Sequence, residues 1–131
     1  MHKATLRILL ADDNSSNAEL LRYIIQKLGF RLEIVHDGQQ ALKRCLEEEF
    51  DLVLMDIQMP VMDGLEATRR IRESGDHNRE NLRIVALTGM SMRNTQEHCH
   101  NLGLDDCIIK PYRVKEIEEC INRMCYSPLA Q

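Results

Sequence analysis

The stretch LVLMDIQMPVMDG, from Leu52 to Gly64, decides the fold. Four apolar residues end at an acid, Asp56, and the chain then turns through Pro60 and Asp63-Gly64 into a helical pattern. A run this short and this apolar predicts a strand that is buried on both faces. A carboxylate at the end of a buried strand is costly, so Asp56 is expected to serve binding or catalysis.

The same kinds of pattern recur along the chain and predict five strand-helix units. The predicted strands are 6–11, 31–35, 52–55, 83–87 and 107–109. The predicted helices begin at Ser16, Gly38, Asp63, Thr95 and Val114; Ser16 and Glu19 have capping-box spacing, and residues 74–81 form a polar loop. Apolar strands that alternate with helices imply an α/β fold, a parallel sheet covered on both faces. With right-handed crossovers, the length suits a flavodoxin-like (βα)5 doubly wound sheet of strand order 2-1-3-4-5.

Composition indicates a single domain with an aliphatic core. The chain has 131 residues, of which 44% are apolar and 4% aromatic, with no Trp. We assign residues 6–125 to the domain and residues 1–5 and 126–131 to terminal tails. The net charge of −4 argues against direct binding of nucleic acid. Because no run of 18 apolar residues and no signal-peptide core are present, we expect a cytoplasmic domain that does not insert into a membrane.

Cysteine usage favours a reducing compartment. The five cysteines are odd in number and lack CxxC spacing: Cys45, Cys99, Cys107, Cys120 and Cys125. We therefore expect reduced, mostly buried thiols and no disulfide framework.

In such sheets ligands bind beyond the carboxyl ends of the strands. Polar residues directly follow the predicted strands, and so lie at that edge. Asp12 and Asp13 follow the first strand and Asp56 the third, while Thr88 follows the fourth and Lys110 the fifth. Two unit charges about 5 Å apart repel by roughly 3 kcal/mol at an effective dielectric near 20, so three carboxylates need a proton or a cation. An all-oxygen cluster suits a hard divalent cation, Mg²⁺ above all. Asp56 would then be a carboxylate nucleophile for phosphoryl transfer, with Lys110 and the metal neutralising the transferring group.

Four motifs make the chain resemble the receiver domain of two-component response regulators. They are Asp12-Asp13, MDIQMPVMDG at 55–64, ALTG at 86–89 and Lys110-Pro111, in this order at strand ends, and the similarity runs from 6 to 124. The predicted strand order rests partly on this resemblance.

The resemblance implies a phosphoacceptor role for Asp56. The donor would be a phosphohistidine on a histidine kinase or a histidine phosphotransfer protein. The implied ligands of Mg²⁺, or Mn²⁺ in its place, are Asp12, Asp13, Asp56 and the backbone carbonyl of Gln58. Thr88 would reorient toward the phosphoryl group and Lys110 would pair with it, and the Lys110-Pro111 peptide bond is usually cis in the family.

The resemblance also implies a partner-binding surface around the fourth helix, fifth strand and fifth helix. This surface would change its conformation when Asp56 is phosphorylated, and it is also the expected contact of a homodimer. One position departs from the family pattern. Receivers commonly carry Tyr or Phe three residues before the lysine, and this chain has Cys107 there. We do not assign the missing aromatic role to Tyr112, which lies beyond Pro111. The segment from 56 to 72 looks most like receivers of hybrid histidine kinases, although a stand-alone regulator remains an alternative.

Three other functions are open on the sequence. A phosphatase with an Asp nucleophile typically has a second Asp two residues later, where this chain has Gln58. A structural module that is never phosphorylated usually loses an acid or the lysine. A flavodoxin-like carrier needs a hydroxyl-rich phosphate loop after the first strand, which is missing. Asp63 fits a helix cap better than a ligand.

Overall fold

The computed structural model describes residues 6–74, 82–89 and 96–126. Five strands lie in this part of the chain: β1 (Arg7–Ala11), β2 (Arg31–Val35), β3 (Leu52–Asp56), β4 (Arg83–Thr88) and β5 (Asp106–Ile109). The helices between and after them are α1 (Ser15–Lys27), α2 (Gly38–Glu47), α3 (Gly64–Arg72), α4 (Gln96–Asn101) and α5 (Val114–Tyr126). The expected tail at 1–5, residues 127–131 of the expected tail at 126–131, and the polar loop from residue 75 onward lie outside the described residues. Tyr126, placed in the tail by the sequence, is instead the last residue of α5.

The strands form one parallel sheet of order β2-β1-β3-β4-β5, which confirms the predicted fold. The winding reverses between β1 and β3, so a crevice forms at their carboxyl ends. β3 lies at the centre, and every residue in it is buried. Asp56 is the last residue of that strand, one residue further than the sequence predicted, and is therefore held by the sheet itself.

Side chains alternate along each strand and supply two apolar layers. One layer contains Val53, Ile84 and Ala86 and packs under α2, α3 and α4, while the other contains Leu54, Val85 and Leu87 and packs under α1 and α5. The core is aliphatic, as the composition predicts. Within the described residues, no helix is long and apolar enough to cross a membrane.

Side-chain caps fix where three of the helices begin. Asn14 accepts a hydrogen bond from the Asn17 N–H and caps α1, so the predicted capping box at Ser16 is wrong. Asp37 caps α2, and Asp63 caps α3 by accepting from the Glu66 N–H at 2.8 Å. The interpretation of Asp63 as a cap is confirmed.

The loop between β3 and α3 is tightly constrained. Val61 has a φ of 70°, and the Met62 N–H donates to the Pro60 carbonyl at 2.7 Å, which closes a γ-turn around Val61. A positive φ is unfavourable for a β-branched residue. At the end of this loop a Cβ on Gly64 would overlap the carbonyl oxygen of Asp56, so only glycine lets α3 start this close to β3.

A disulfide joins Cys99 of α4 to Cys107 of β5, contrary to the expectation of reduced thiols for this pair. The two cysteines are eight positions apart, and the segment between them spans a helix end, a turn and a strand start. Packing of α4 on the sheet brings them together. Spacing along the chain carries no sign of that contact. The other three cysteines form no disulfide: Cys45 and Cys120 are buried as expected, and Cys125 is partly buried.

Candidate phosphoacceptor and metal site

Three carboxylates meet at the carboxyl end of the sheet. Asp12 follows β1 and is 0% exposed, Asp13 is exposed, and Asp56 ends β3 at 5% exposed. One oxygen from each carboxylate lies within 4.8 Å of the others. The structure therefore brings together the three acids that the sequence predicted as metal ligands.

Backbone contacts hold Asp12 in the crevice. Its N–H donates to the Val35 carbonyl at 3.0 Å and so continues the pairing of β1 with β2 beyond the strand. Its Oδ1 accepts from the Asn14 N–H at 2.8 Å, the same Asn14 that caps α1. The turn that starts the first helix thus also orients the buried carboxylate.

Two donors contact different oxygens of the Asp56 carboxylate. The Lys110 Nζ lies 3.1 Å from Oδ2, and the Gln58 N–H donates to Oδ1 at 3.2 Å. The Lys110-Pro111 bond is cis, as expected from the resemblance. The Lys110 N–H donates to the Thr88 carbonyl at 2.7 Å, which joins the ends of β4 and β5. The assigned role of the Gln58 carbonyl stays a prediction; the structure shows a bond through the N–H of that residue.

Thr88 lies at the same edge but is not bonded to the acids. It is 3% exposed, and its Oγ1 donates to the Gly89 carbonyl at 3.3 Å. The hydroxyl is therefore positioned beside the crevice and free of the carboxylates.

The electrostatics of the site favour a bound cation. Burial, and then the nearby Asp56 carboxylate, raise the pKa of Asp12 to about 6. Asp12 Oδ2 is buried and has no hydrogen-bond partner among the described residues. An unpaired buried carboxylate oxygen beside two further acids is a costly arrangement that a hard divalent ion relieves. The residues present fit Mg²⁺.

Tyr112 is a residue near the site that the sequence analysis set aside. Its hydroxyl is buried without a partner among the described residues, and burial followed by the charges of Asp12 and Asp56 raises the pKa of Tyr112 to about 12. It also lines a cavity of about 380 Å³ together with Asn17, Leu20, Lys110 and Pro111. Its place directly after the Lys-Pro pair was the only signal in the sequence.

Curated relatives support the same interpretation. The chain is 38% identical over 121 residues to hybrid signal transduction histidine kinase I of Dictyostelium discoideum, covering 88% of the chain and 7% of the relative. It is 37% identical over 116 residues to the sensor protein GacS of Pseudomonas syringae pv. syringae, covering 88% of the chain and 13% of the relative. The chain spans less than a sixth of the length of these relatives.

Solved structures share the fold. The receiver domain of a Pseudomonas aeruginosa sensor histidine kinase, with magnesium coordinated in its active-site cleft, superposes with a TM-score of 0.82 at 33% identity, over 92% of this chain and 98% of that one. The chemotaxis protein CheY4 of Vibrio cholerae has a TM-score of 0.82 at 23% identity, over 92% and 98% of the two chains, a likeness in fold alone.

A family model described as the response regulator receiver domain matches residues 8–122. This match covers β1 from Ile8 onward, the other four strands in full, and all four motifs at the strand ends. The resemblance seen in the sequence is confirmed, and the chain belongs to the response regulator receiver domain family.

Proposed function

We propose that Asp56 accepts a phosphoryl group from a phosphohistidine on a histidine kinase or a histidine phosphotransfer protein. The observation that carries the proposal is the pairing of Lys110 with Asp56 at 3.1 Å inside a cluster of three carboxylates. A structural salt bridge alone does not account for the buried, unpaired oxygen of Asp12. The similarity to hybrid kinases supports a phosphohistidine as the donor.

The transfer needs a carboxylate nucleophile that is fixed in direction. An oxygen of Asp56 attacks phosphorus, the bond between phosphorus and the donor imidazole nitrogen breaks, and an acyl phosphate forms. The Gln58 N–H and Lys110 each contact a different oxygen of Asp56 and so fix the orientation of the carboxylate. Lys110 also supplies a mobile positive charge for the oxygens of the transferring group.

Mg²⁺, or Mn²⁺ in its place, would be held by Asp12, Asp13, Asp56 and the Gln58 carbonyl, and supplies neutralisation of charge on the transferring group. Asp12 and Asp13 are then positioning and charge-balancing groups, and neither bonds to phosphorus.

Thr88 is proposed to report the modification. Rotation about its side chain would exchange the present bond to the Gly89 carbonyl for one to a phosphoryl oxygen. Because Thr88 precedes the segment that leads to α4, this exchange of hydrogen bonds would shift the position of α4, β5 and α5. We propose these three elements as the partner-binding surface. The same surface would serve a homodimer, and the domain would act in the cytoplasm.

The proposal is tested by incubating the chain with acetyl phosphate and Mg²⁺ and measuring intact mass. We expect the added mass of one phosphoryl group, lost in Asp56→Asn and on chelation of the metal. Asp63→Asn is the matched control, since asparagine also caps helices and Asp63 has no assigned role in transfer. Failure of the wild type to gain mass would contradict the proposal, as would repeated turnover of phosphate esters far beyond one equivalent, which indicates a phosphatase.

A further inference from the structure

The Cys99-Cys107 disulfide lies between Thr88 and Lys110 in the sequence, and both of these residues belong to the proposed site. Cys99 lies eleven residues after Thr88, and Cys107 lies three residues before Lys110. The bond therefore joins the helix that follows Thr88 to β5, the strand that ends directly before Lys110.

The pair lies on the same face of the sheet as Thr88. Cys107 is paired with Ala86 and Ile109 with Thr88, so the Cys107 and Thr88 side chains point to the same layer. Strand spacing and rise place their Cα atoms about 8 Å apart. The disulfide thus lies on the same face of the sheet as the Thr88 hydroxyl that we propose to rotate.

α4 depends on this attachment. It has six residues, and helices shorter than about 12 residues are marginal in isolation. Cys99 is 1% exposed and belongs to the core layer under α4, with the neighbouring Leu102 partly buried against it. Without the disulfide, α4 is held near β5 by noncovalent contacts, chiefly apolar packing. Noncovalent contacts break more readily than a covalent bond, so the helix can then move away from the strand.

We propose that Cys99 and Cys107 form a redox modification site that sets how readily Asp56 is phosphorylated. The disulfide holds α4 on β5 in the unphosphorylated arrangement and so opposes the change that phosphorylation requires. Reduction to two thiols releases α4 and makes phosphorylation faster. This inference rests on the proposed function.

The reaction balances with a peroxide as oxidant. Cys107 is partly exposed and Cys99 is buried, so the Cys107 thiolate attacks a peroxide oxygen, the O–O bond breaks, and a sulfenic acid forms with release of water or an alcohol. The Cys99 thiol then attacks the Cys107 sulfur, which forms the disulfide and releases water. An external dithiol reverses the change by attacking Cys107, with Cys99 as the leaving thiol, and is itself oxidised to a disulfide.

The test compares the initial rate of phosphate incorporation from acetyl phosphate with Mg²⁺ for peroxide-treated and phosphine-reduced chain. Alkylation after unfolding verifies the two states, since three cysteines lie outside the disulfide and should be labelled in the oxidised chain, and all five in the reduced chain. We expect the oxidised form to be slower by about fivefold or more. Equal rates, or a chain in which peroxide leaves all five thiols free, would overturn the proposal.

Two variants separate this pair from other cysteines. The double variant Cys99→Ala/Cys107→Ala should react at the rate of the reduced chain under both treatments. Cys120→Ala, which removes a buried thiol from the opposite core layer, should keep the full redox response. A redox response that survives in the double variant would refute the assignment.

Hydrogen exchange distinguishes failure of this inference from failure of the proposed function. Amides of α4 should exchange faster in the reduced chain than in the oxidised chain, whether or not Asp56 accepts phosphate. Absence of phosphate from both forms would refute the proposed function. Equal amide hydrogen exchange of α4 in both forms would instead refute the claim that the disulfide restrains this helix.

Discussion

Replacing Asp12 with asparagine is expected to stabilise the metal-free protein at neutral pH. Asp12 is fully buried, its Oδ2 has no partner among the described residues, and burial followed by Asp56 raises its pKa from 3.8 to about 6. A carboxyl whose pKa is higher in the folded than in the unfolded state destabilises the folded protein above that pKa. The site is thus built at a cost in stability.

The magnitude follows from the same shift. A pKa raised from 3.8 to about 6 corresponds to about 3 kcal/mol of lost unfolding free energy above pH 6. Asparagine removes the charge but still buries a polar amide, so the net gain for Asp12→Asn is about 2 kcal/mol. The penalty in the wild type shrinks as the pH falls from 6 toward 3.8, because the folded state takes up the proton first.

The assay is urea unfolding of both proteins in the presence of a metal chelator at several pH values. Asp12→Asn should exceed the wild type by about 2 kcal/mol at about pH 7.5, and the difference should be clearly smaller at about pH 5. Asp13→Asn is the control: this side chain is exposed, so its effect should stay within about 0.5 kcal/mol. A variant no more stable than the wild type at neutral pH, or a difference that does not vary with pH, would refute the reasoning.

Three further changes test the surroundings of the site. Val61 is 77% exposed with a φ of 70°, so Val61→Gly should raise the unfolding free energy by about 1 kcal/mol in urea titrations; a loss would show that the turn is not strained. Gly64→Ala should cost about 3 kcal/mol, since its Cβ would overlap the Asp56 carbonyl; thermal unfolding close to that of the wild type would contradict this close approach. Reduction of the Cys99-Cys107 bond should lower the unfolding free energy by about 2.5 kcal/mol, because the two cysteines are eight positions apart. The same reductant should not change the unfolding free energy of the Cys99→Ala/Cys107→Ala variant.

The fold is predictable from the sequence because its signals are local. Each strand is a short, mostly apolar run that ends at or just before a polar residue, and the parallel sheet follows from alternation with helices. The start of α1 was missed because Ser16 and Glu19 match a capping box as well as Asn14 matches a cap. Only the structure shows that Asn14 accepts the bond from Asn17.

The sequence predicts which residues form the site, but not their burial or the contacts they make. The carboxyl-end rule collects Asp12, Asp13, Asp56 and Lys110 without coordinates. It cannot tell that Asp12 is buried and Asp13 exposed, because the two are adjacent and chemically identical. It also cannot find contacts made by packing between elements, as in the disulfide and in the approach of Tyr112 to the carboxylates.

The most direct test of the central claim is to locate the phosphate. An aspartyl phosphate is reduced by borohydride to homoserine, whereas phosphate esters of serine and threonine are not. After incubation with acetyl phosphate and Mg²⁺, borohydride treatment and peptide mass spectrometry should show homoserine at position 56. Homoserine at position 12 or 13, or a phosphate that borohydride leaves in place, would contradict the account.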